Sequence, residues 1–238
     1  FAGDPVMVEP RHFGQPDIGP QRSDLGPDHI RYWEGGTGPE TILLLHGFGA
    51  DALWQWHPQI RDLARDYRVI VPDLLWFGES YSSDPDFSIQ HQARALVALL
   101  EHEHVKRVNI VGVSYGGMVS HEVIGRAPAQ IDRVVLVSSP ARAFLVEDKR
   151  EVLADFGVTK VDQLLLPQKP DELRRLMSLA YWKPPRLPDF IARGVLDRYY
   201  VPHRAEHLAL LSAVEANTAT HRESFEVPRQ PTLIIWGE

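Results

Sequence analysis

The chain has 238 residues, of which 44% are hydrophobic, and its formal net charge at pH 7 is −7. A mildly acidic chain offers no basic stripe to phosphates, which argues against a nucleic-acid-binding protein. The absence of cysteine excludes disulfides, thiolate metal sites and cysteine nucleophiles, and no window approaches the roughly 18 consecutive apolar residues of a transmembrane helix.

The sequence does not decide the cellular compartment. The lack of cysteine favours a reducing compartment such as the cytoplasm. The first residue is Phe1 rather than methionine, so a processed secreted form is the alternative. We expect a soluble protein in either case.

Residues 1–27 are rich in proline and glycine and predict an irregular leader with at most one short strand. The stretch "HIRYWEGG" then alternates between apolar and polar residues and predicts a first regular strand. Five continuous apolar runs of strand length follow in chain order: "ETILLLHG", "YRVIVPD", "RVNIVGVS", "RVVLVSS" and "PTLIIWG". Such runs indicate strands buried on both faces, which is typical of a parallel sheet.

Helical patterns separate these strands. Two stretches carry apolar residues at helical spacing, and the second follows a candidate N-cap at Ser88. The apolar positions are Trp56, Ile60 and Leu63 in the first and Ile89, Ala93, Leu96 and Leu100 in the second. Strands alternating with helices predict an α/β fold with a mostly parallel, doubly wound sheet.

Residues 141–228 break this rhythm, because they contain no convincing buried strand. Several short helices separated by prolines fit the pattern better. We therefore predict a core made of residues 28–140 and 229–238, with residues 141–228 inserted as a helical lid. The apolar stripes of the lid are Leu173, Leu176, Met177 and Ala180, and Ile191, Val195 and Tyr199.

The stretch Gly112-Val113-Ser114-Tyr115-Gly116 fits the pattern G-x-S-x-G. It follows a buried strand directly and precedes a predicted helix, so the turn between them must be tight. Glycine at both flanking positions removes Cβ atoms that would clash, and the serine hydroxyl projects above the sheet. The context predicts that Ser114 is a nucleophile. A turn serine without chemistry is the alternative.

A second loop, His46-Gly47-Phe48-Gly49, follows the strand "ETILLL". Acyl transfer builds negative charge on a carbonyl oxygen, and backbone N–H groups aimed at that oxygen stabilise it. We predict an oxyanion hole formed by the N–H groups of Phe48 and Tyr115. His46 is expected to be a hydrogen-bonded part of the loop scaffold rather than a base. A plain strand-ending turn is the alternative.

These motifs together resemble the α/β-hydrolase family. "LLLHGFG", "YRVIVPDLLWFGES", "VGVSYGG", a helical lid and "PTLIIWGE" follow that family's order over residues 28–238. The residues of these motifs resemble those of lipase- and esterase-like members with a helical cap. The resemblance implies an eight-stranded, mostly parallel sheet and a catalytic triad in the order serine, acid, histidine. Dehalogenases and epoxide hydrolases of this fold carry aspartate at the serine position and are disfavoured.

The same resemblance places the triad acid about two residues beyond Glu238 and the histidine after one further strand. The printed chain therefore looks truncated before both groups. Glu238 itself is a weaker candidate for the acid, because a terminal residue is poorly held. Four histidines within the chain are weaker candidates for the base, since each fits a surface or lid position: His121, His203, His207 and His221.

The sequence thus predicts a serine hydrolase that cleaves carboxylic esters with an apolar acyl part and needs no cofactor. Trp76 and Trp182 are the candidates for lining the substrate cleft. His203 and His207 are four residues apart, but they lack the H-E-x-x-H order, so we predict solvated lid residues and no metal site. A C–C bond hydrolase, an acyltransferase and a non-catalytic binding module without a complete triad remain alternatives.

Overall fold

The computed structural model describes residues 18–49, 51–139, 146–220 and 228–237. Within these ranges one eight-stranded sheet has the order β1-β2-β4-β3-β6-β7-β8, and β5 pairs with β2. Strands β3, β4, β6, β7 and β8 are parallel, whereas β1, β2 and β5 are antiparallel additions. The strands are β1 (Ile18–Leu25), β2 (Asp28–Gly35), β3 (Thr41–Leu45), β4 (Arg68–Pro72), β5 (Tyr81–Ser82), β6 (Val108–Val113), β7 (Ile131–Val137) and β8 (Thr232–Ile235). The predicted α/β fold with a mostly parallel sheet is confirmed.

Helices cover both faces of this sheet, namely α1 (Ala52–Leu63) on one side and α2 (Ile89–His102) and α3 (Tyr115–Arg126) on the other. Leu44 packs in the cluster of α1, while Leu43 and Leu45 pack in the cluster of α2 and α3. Successive side chains of a strand point to opposite faces. A strand buried on both faces must therefore be apolar at every position, which explains the continuous runs.

Polar caps start the first two helices. The Ser88 hydroxyl accepts a hydrogen bond from the His91 N–H at 3.1 Å, as predicted for the start of α2. The Asp51 carboxylate does the same for the Trp54 N–H at 2.7 Å at the start of α1. Each cap satisfies one of the N–H groups that a helix start leaves unpaired.

The leader predicted for residues 1–27 is not irregular over its last part, because Ile18–Leu25 forms the eight-residue strand β1. It pairs with β2 from Ile18 opposite Gly35 to Leu25 opposite Asp28. The connecting turn uses Gly26 at a φ of 72°. Most β1 side chains are at least partly exposed, so this edge strand lacks the apolar run that marks the others. Residues 1–17 lie outside the described residues.

Between β7 and β8 the structure has helices and, over residues 146–220, no strand. These helices are α4 (Val146–Asp155), α5 (Val161–Leu165), α6 (Pro170–Ala180), α7 (Asp189–Tyr199) and α8 (Arg204–Thr220). A separate apolar cluster, which includes Leu173, Ala192 and Leu196, holds the block together. Leu210 of α8 instead packs in the main apolar core, together with residues of α2 and α3. The helices agree with the sequence pattern, and their role as a lid stays a prediction.

Candidate active site

Ser114 occupies the turn between β6 and α3 in a strained backbone conformation, with φ 49° and ψ −113°. A residue other than glycine at positive φ costs about 1–3 kcal/mol and persists only where its surroundings hold it. Here the Ser114 N–H donates to the Val137 carbonyl at 3.0 Å. The Ser114 carbonyl accepts from the Ser139 hydroxyl at 2.7 Å and from the Gly117 N–H at 3.0 Å. The turn is thus held from β7 and from the first turn of α3.

The two glycines that flank Ser114 are required by close approach. A Cβ added at Gly112 would lie 2.4 Å from Ser120 Oγ. A Cβ added at Gly116 would lie 2.5 Å from the Leu45 carbonyl oxygen. No side chain fits at either position without moving backbone or buried groups, so the turn can form only with glycine on both sides.

The loop after β3 lies against this turn. A Cβ added at Gly47 would be 3.5 Å from Ser114 Cβ, so the loop backbone directly faces the serine. The ring of Phe48 meets the ring of Tyr115 edge-on, with 5.6 Å between centroids. The structure therefore brings together Gly47, Phe48, Ser114 and Tyr115, as expected for parallel strands whose carboxyl ends share one sheet edge.

The backbone N–H groups of Phe48 and Tyr115 have a further property in common. Neither of them takes part in the backbone or side-chain hydrogen bonds of the described residues. Tyr115 is the first residue of α3, and the first N–H groups of a helix have no partner within that helix. Among the described residues, both donors are therefore left for another acceptor. A carbonyl oxygen of a bound substrate is an acceptor of the required type.

His46 is fully buried and uses both ring nitrogens within the scaffold. Its Nε2 accepts from the Leu74 N–H at 3.0 Å, so Nδ1 carries the proton and donates to the Gly47 carbonyl at 2.8 Å. Burial lowers the pKa of His46 to about 4, which keeps the ring neutral at physiological pH. These contacts place His46 in the scaffold that joins the loop after β3 to the loop after β4.

Gly49 closes the same loop at a φ of 83°, beneath the helical block. A Cβ at this position would lie 3.0 Å from the Tyr200 hydroxyl oxygen, at the end of α7. Positive φ and close approach both favour glycine here. The loop is therefore covered from above by residues of the helical block.

Asp73, immediately after β4, is a structural residue that the sequence reasoning missed. It is buried, and its two carboxylate oxygens accept from the Ala52 N–H at 2.8 Å and the Glu79 N–H at 3.3 Å. Burial raises the pKa of Asp73 to about 7. The signal for Asp73 in the sequence is an acidic residue that directly follows a buried strand, in "VPD". Asp73 fixes the start of α1 relative to the loop of residues 74–80.

The structure also gives His207 of α8 a different environment from the one that the sequence predicts. It is buried rather than solvated, so the prediction of a solvated lid residue is wrong. Its Nε2 lies 2.8 Å from the Trp76 carbonyl and donates to it, and its ring stacks on Phe77 at 4.5 Å between centroids. The ring also meets Phe48 edge-on at 5.7 Å. Burial lowers the pKa of His207 to about 4.

The hydrogen bonds of His46, His91 and His207 go to groups other than the Ser114 hydroxyl. His207 is committed to Trp76, and the ring of His203 lies 6.4 Å from that of His207. His121 lies on α3 after the serine turn. The remaining candidates for base and acid, His221 and Glu238, lie outside the described residues.

The two candidate cleft tryptophans have different surroundings. Trp76 is 3% exposed, and its indole packs against Phe87 and His91, with 4.6 and 5.6 Å between ring centroids. Trp182 is 90% exposed. One indole is thus enclosed by the core and the other is open to solvent, and substrate contact by either side chain stays a prediction.

Residues 40–238 match the sequence model of the α/β hydrolase fold family. The chain belongs to this family. The hydrolase fold explains why a strained serine turn, a glycine-rich loop and a helical block meet at one edge of the sheet. The described part of this hydrolase has no helix long and apolar enough to cross a bilayer.

Curated relatives of this hydrolase differ in activity. It is 36% identical over 222 residues to the dihydrolipoyllysine-residue acetyltransferase component of the acetoin cleaving system of Pseudomonas putida, covering 92% of this chain and 57% of that protein. It is 26% identical over 204 residues to Lipase 3 of Moraxella sp. (strain TA144), covering 84% of this chain and 62% of that protein. The chain thus spans less than two thirds of either relative.

Among solved structures, the hydrolase is similar to a candidate lipase from Acinetobacter baumannii AYE. The TM-score is 0.77 at 25% sequence identity, and the match covers 92% of this chain and 74% of that one. The similarity places the overall architecture of this chain among lipase-like hydrolases.

Proposed function

We propose that this hydrolase cleaves carboxylic esters through nucleophilic attack by Ser114. The observation that carries the proposal is the strained turn at Ser114, with φ 49°, opposite a glycine-rich loop. Strain at one serine, held by hydrogen bonds from β7 and α3, is a feature that binding alone does not require. A strand-to-helix turn of this kind presents the hydroxyl to a substrate at the top of the sheet.

The reaction follows from these groups. Ser114 Oγ attacks the ester carbonyl carbon, and the carbonyl oxygen becomes an oxyanion that accepts from the Phe48 and Tyr115 N–H groups. Removing one such donor from an enzyme typically lowers kcat about 10²–10³-fold. Collapse of the tetrahedral intermediate releases the alcohol and leaves an acyl group on Ser114. A water molecule then attacks the acyl group, releasing the acid and restoring the serine.

The proton of Ser114 needs a base, and the two buried histidines nearest the serine turn, His46 and His207, are bound elsewhere. His46 and His207 are buried, and each is hydrogen-bonded to a backbone carbonyl. Burial lowers the pKa of both histidines to about 4, below the range where a general base works at neutral pH. In the order of this family the acid and then the histidine follow the strand that corresponds to β8. We infer that the base of this hydrolase has the same position.

The surroundings of the serine favour an apolar acyl group. The rings of Phe48, Phe77 and Tyr115 contact one another beside the glycine-rich loop, with centroids 5.2 to 6.2 Å apart. Phe77 and Tyr115 are 2% and 4% exposed, so the partly exposed Phe48 is the ring of this group that offers apolar surface to a ligand. The lipase name of one relative supports the same substrate class.

Acyl transfer is the second candidate function. It is supported by the acetyltransferase name of the 36% identical relative. The first half of the reaction is shared, because both activities form an acyl group on Ser114. They differ only in whether water or another nucleophile accepts that group. A competing alcohol or thiol in the assay separates the two outcomes.

Labelling with a fluorophosphonate tests the proposal on the full-length protein. We expect one covalent adduct per chain by intact mass spectrometry, and none in Ser114→Ala. Hydrolysis of p-nitrophenyl butyrate should fall at least about 10³-fold in the same variant, because the nucleophile is lost. The control Ser178→Ala changes an exposed serine of α6 whose hydroxyl donates to the Arg175 carbonyl.

Retained labelling in Ser114→Ala would show that another group is the nucleophile. A folded wild-type protein that takes no label and cleaves no ester would favour the non-catalytic binding module.

A further inference from the structure

The connection between α6 and α7 presents an unusual group of exposed apolar side chains. Every residue from 178 to 186 is exposed, and the exposure resumes at residues 188–191. Trp182 and Phe190 are 90% and 76% exposed, which is rare for large aromatic side chains. We call residues 178–191 the aromatic tip. Its large apolar members are Leu179, Tyr181, Trp182, Phe190 and Ile191.

The aromatic tip is held in place. Arg174 of α6 donates from Nε and Nη2 to the Leu187 carbonyl at 3.0 and 2.8 Å and forms an ion pair with Asp189. Three prolines, at 184, 185 and 188, fix φ along the segment. A segment fastened in this way presents its aromatic rings with little further loss of conformational entropy on binding.

The opposite faces of the two flanking helices are buried in the helical block. Leu173 and Met177 of α6 and Ala192 and Val195 of α7 all point inward. The exposed rings are therefore the side of these helices that the described chain leaves uncovered. Contiguous exposed apolar side chains of this kind mark an interaction surface.

Charge distinguishes the aromatic tip from the rest of the molecule. The tip has two basic residues and one acidic residue, and with its flanking helices, from Lys169 to Arg198, the chain has seven basic and four acidic residues, although the whole chain has a net charge of −7. Two of those acids, Asp171 and Asp189, are paired with Arg174. Lys183 and Arg186 are exposed and form no ion pair among the described residues. The exposed rings thus lie among uncompensated positive charges.

We propose that the aromatic tip docks on the surface of a lipid bilayer that contains anionic lipids. Tryptophan and tyrosine favour the level of the headgroups, where the ring is partly dehydrated and its polar atom stays wet. Each lysine or arginine near an anionic bilayer adds about 1 kcal/mol of attraction. The combination of exposed rings with flanking basic side chains is the composition of an interfacial anchor. This proposal stands on the tip alone and does not depend on the chemistry of Ser114.

Two other occupants fit the tip less well. A second copy of the chain would bring Lys183 and Arg186 of both copies together, and like charges in an interface are unfavourable. A protein partner usually contributes or receives side chains in well-packed pockets. Trp182 is 90% exposed, so the described residues do not form such a pocket around it.

Cosedimentation with large unilamellar vesicles tests the proposal. We expect binding to equimolar phosphatidylcholine and phosphatidylglycerol, weaker binding to phosphatidylcholine alone, and release as salt is added. The double variant Trp182→Ala, Phe190→Ala should lower the partition coefficient at least about tenfold on both vesicles, because the buried apolar area is lost. Lys183→Gln with Arg186→Gln should lower it about 25-fold on the anionic vesicles only.

Two control variants match these changes. Tyr81→Ala removes an exposed aromatic from β5, and Arg61→Gln removes an exposed charge from α1. Both should bind vesicles like the wild-type protein. Because all substituted residues of the tip are exposed, the variants should melt at the wild-type temperature.

The proposal is overturned if the wild-type protein fails to sediment with anionic vesicles at low salt, or if the aromatic double variant binds them as well as the wild type. It is also overturned if sedimentation equilibrium shows a dimer that the aromatic variant abolishes while no vesicle is bound. In that case the tip is an interface between copies.

Discussion

At the scale of single residues, sterics decide the candidate active site. Ser114 is held at a φ of 49°, and the glycines on either side leave room for the carbonyl of Leu45 and the side chain of Ser120. Neither glycine has a positive φ. They are required by the space that the neighbouring strand and helix occupy, not by their own backbone angles.

Substituting Gly116 tests this steric requirement. The added methyl of Gly116→Ala would lie 2.5 Å from the Leu45 carbonyl oxygen. We expect a loss of about 1–3 kcal/mol in the free energy of unfolding, measured by urea titration, and a lower rate of labelling at Ser114. Gly125→Ala is the matched control on the same helix, because nothing lies within 4 Å of the added Cβ. That variant should be as stable as the wild type or slightly more so. Equal stability of both variants would contradict the steric argument.

At the scale of secondary-structure elements, His207 connects the helical block to the sheet edge that holds Ser114. His207 of α8 donates to the carbonyl of Trp76, which lies in the loop after β4 at a φ of 66°. Its ring lies between Phe77 and Phe48, at 4.5 and 5.7 Å between centroids. The position of α8 and that of the glycine-rich loop therefore depend on each other.

Replacing His207 by phenylalanine keeps the stacking on Phe77 but removes the hydrogen bond. The Trp76 carbonyl then loses a partner, so we expect a loss of about 1–3 kcal/mol in the free energy of unfolding at pH 7. His57→Phe, on the exposed surface of α1, is the control and should change stability little. An unchanged denaturation midpoint in His207→Phe would show that this hydrogen bond does not help to hold the helical block against the loop after β4.

At the scale of the whole molecule, buried neutral histidines make stability depend on pH. Burial lowers the pKa of His46 and His207 to about 4, from an ordinary value of 6.5. Between these values the unfolded chain binds more protons than the folded one, so stability is fully present above pH 6.5 and is lost as the pH falls toward 4. A fall of this size corresponds to about 3 kcal/mol for each histidine.

Asp73 acts in the opposite direction. Its pKa is raised to about 7 from 3.8, so over this range the folded state binds more protons than the unfolded chain, and stability falls as the pH rises. One carboxyl offsets only part of the effect of two histidines. We therefore expect the net stability to decrease on acidification.

Urea unfolding from about pH 7.5 down to about pH 4.5 checks this expectation through the change in the extrapolated free energy. The decrease should be smaller in His207→Phe, which lacks one of the two titrating groups. A free energy of unfolding that is flat or rises as the pH falls would show that the histidines are not buried in the neutral form.

By itself the sequence determined the parallel part of the sheet and the location of the serine turn. The buried strands required continuous apolar runs, such as that of Leu43 to Leu45, because side chains on both faces meet helices. The pattern around Ser114 was readable because close approach admits only glycine at its neighbours. Both are local requirements, so they leave a signature in consecutive residues.

Tertiary structure alone decided which other side chains meet that turn. The position and length of β1 (Ile18–Leu25), within a leader for which the sequence allowed one short strand, were not predictable, because an edge strand needs no apolar run. The burial of His207 depends on the loop at Trp76, which is 131 positions away in the chain. Trp76 and Trp182 looked alike in the sequence, yet the first is enclosed by α2 and the second is left uncovered. Burial of such residues follows from how distant elements pack, and no pattern of neighbouring residues encodes it.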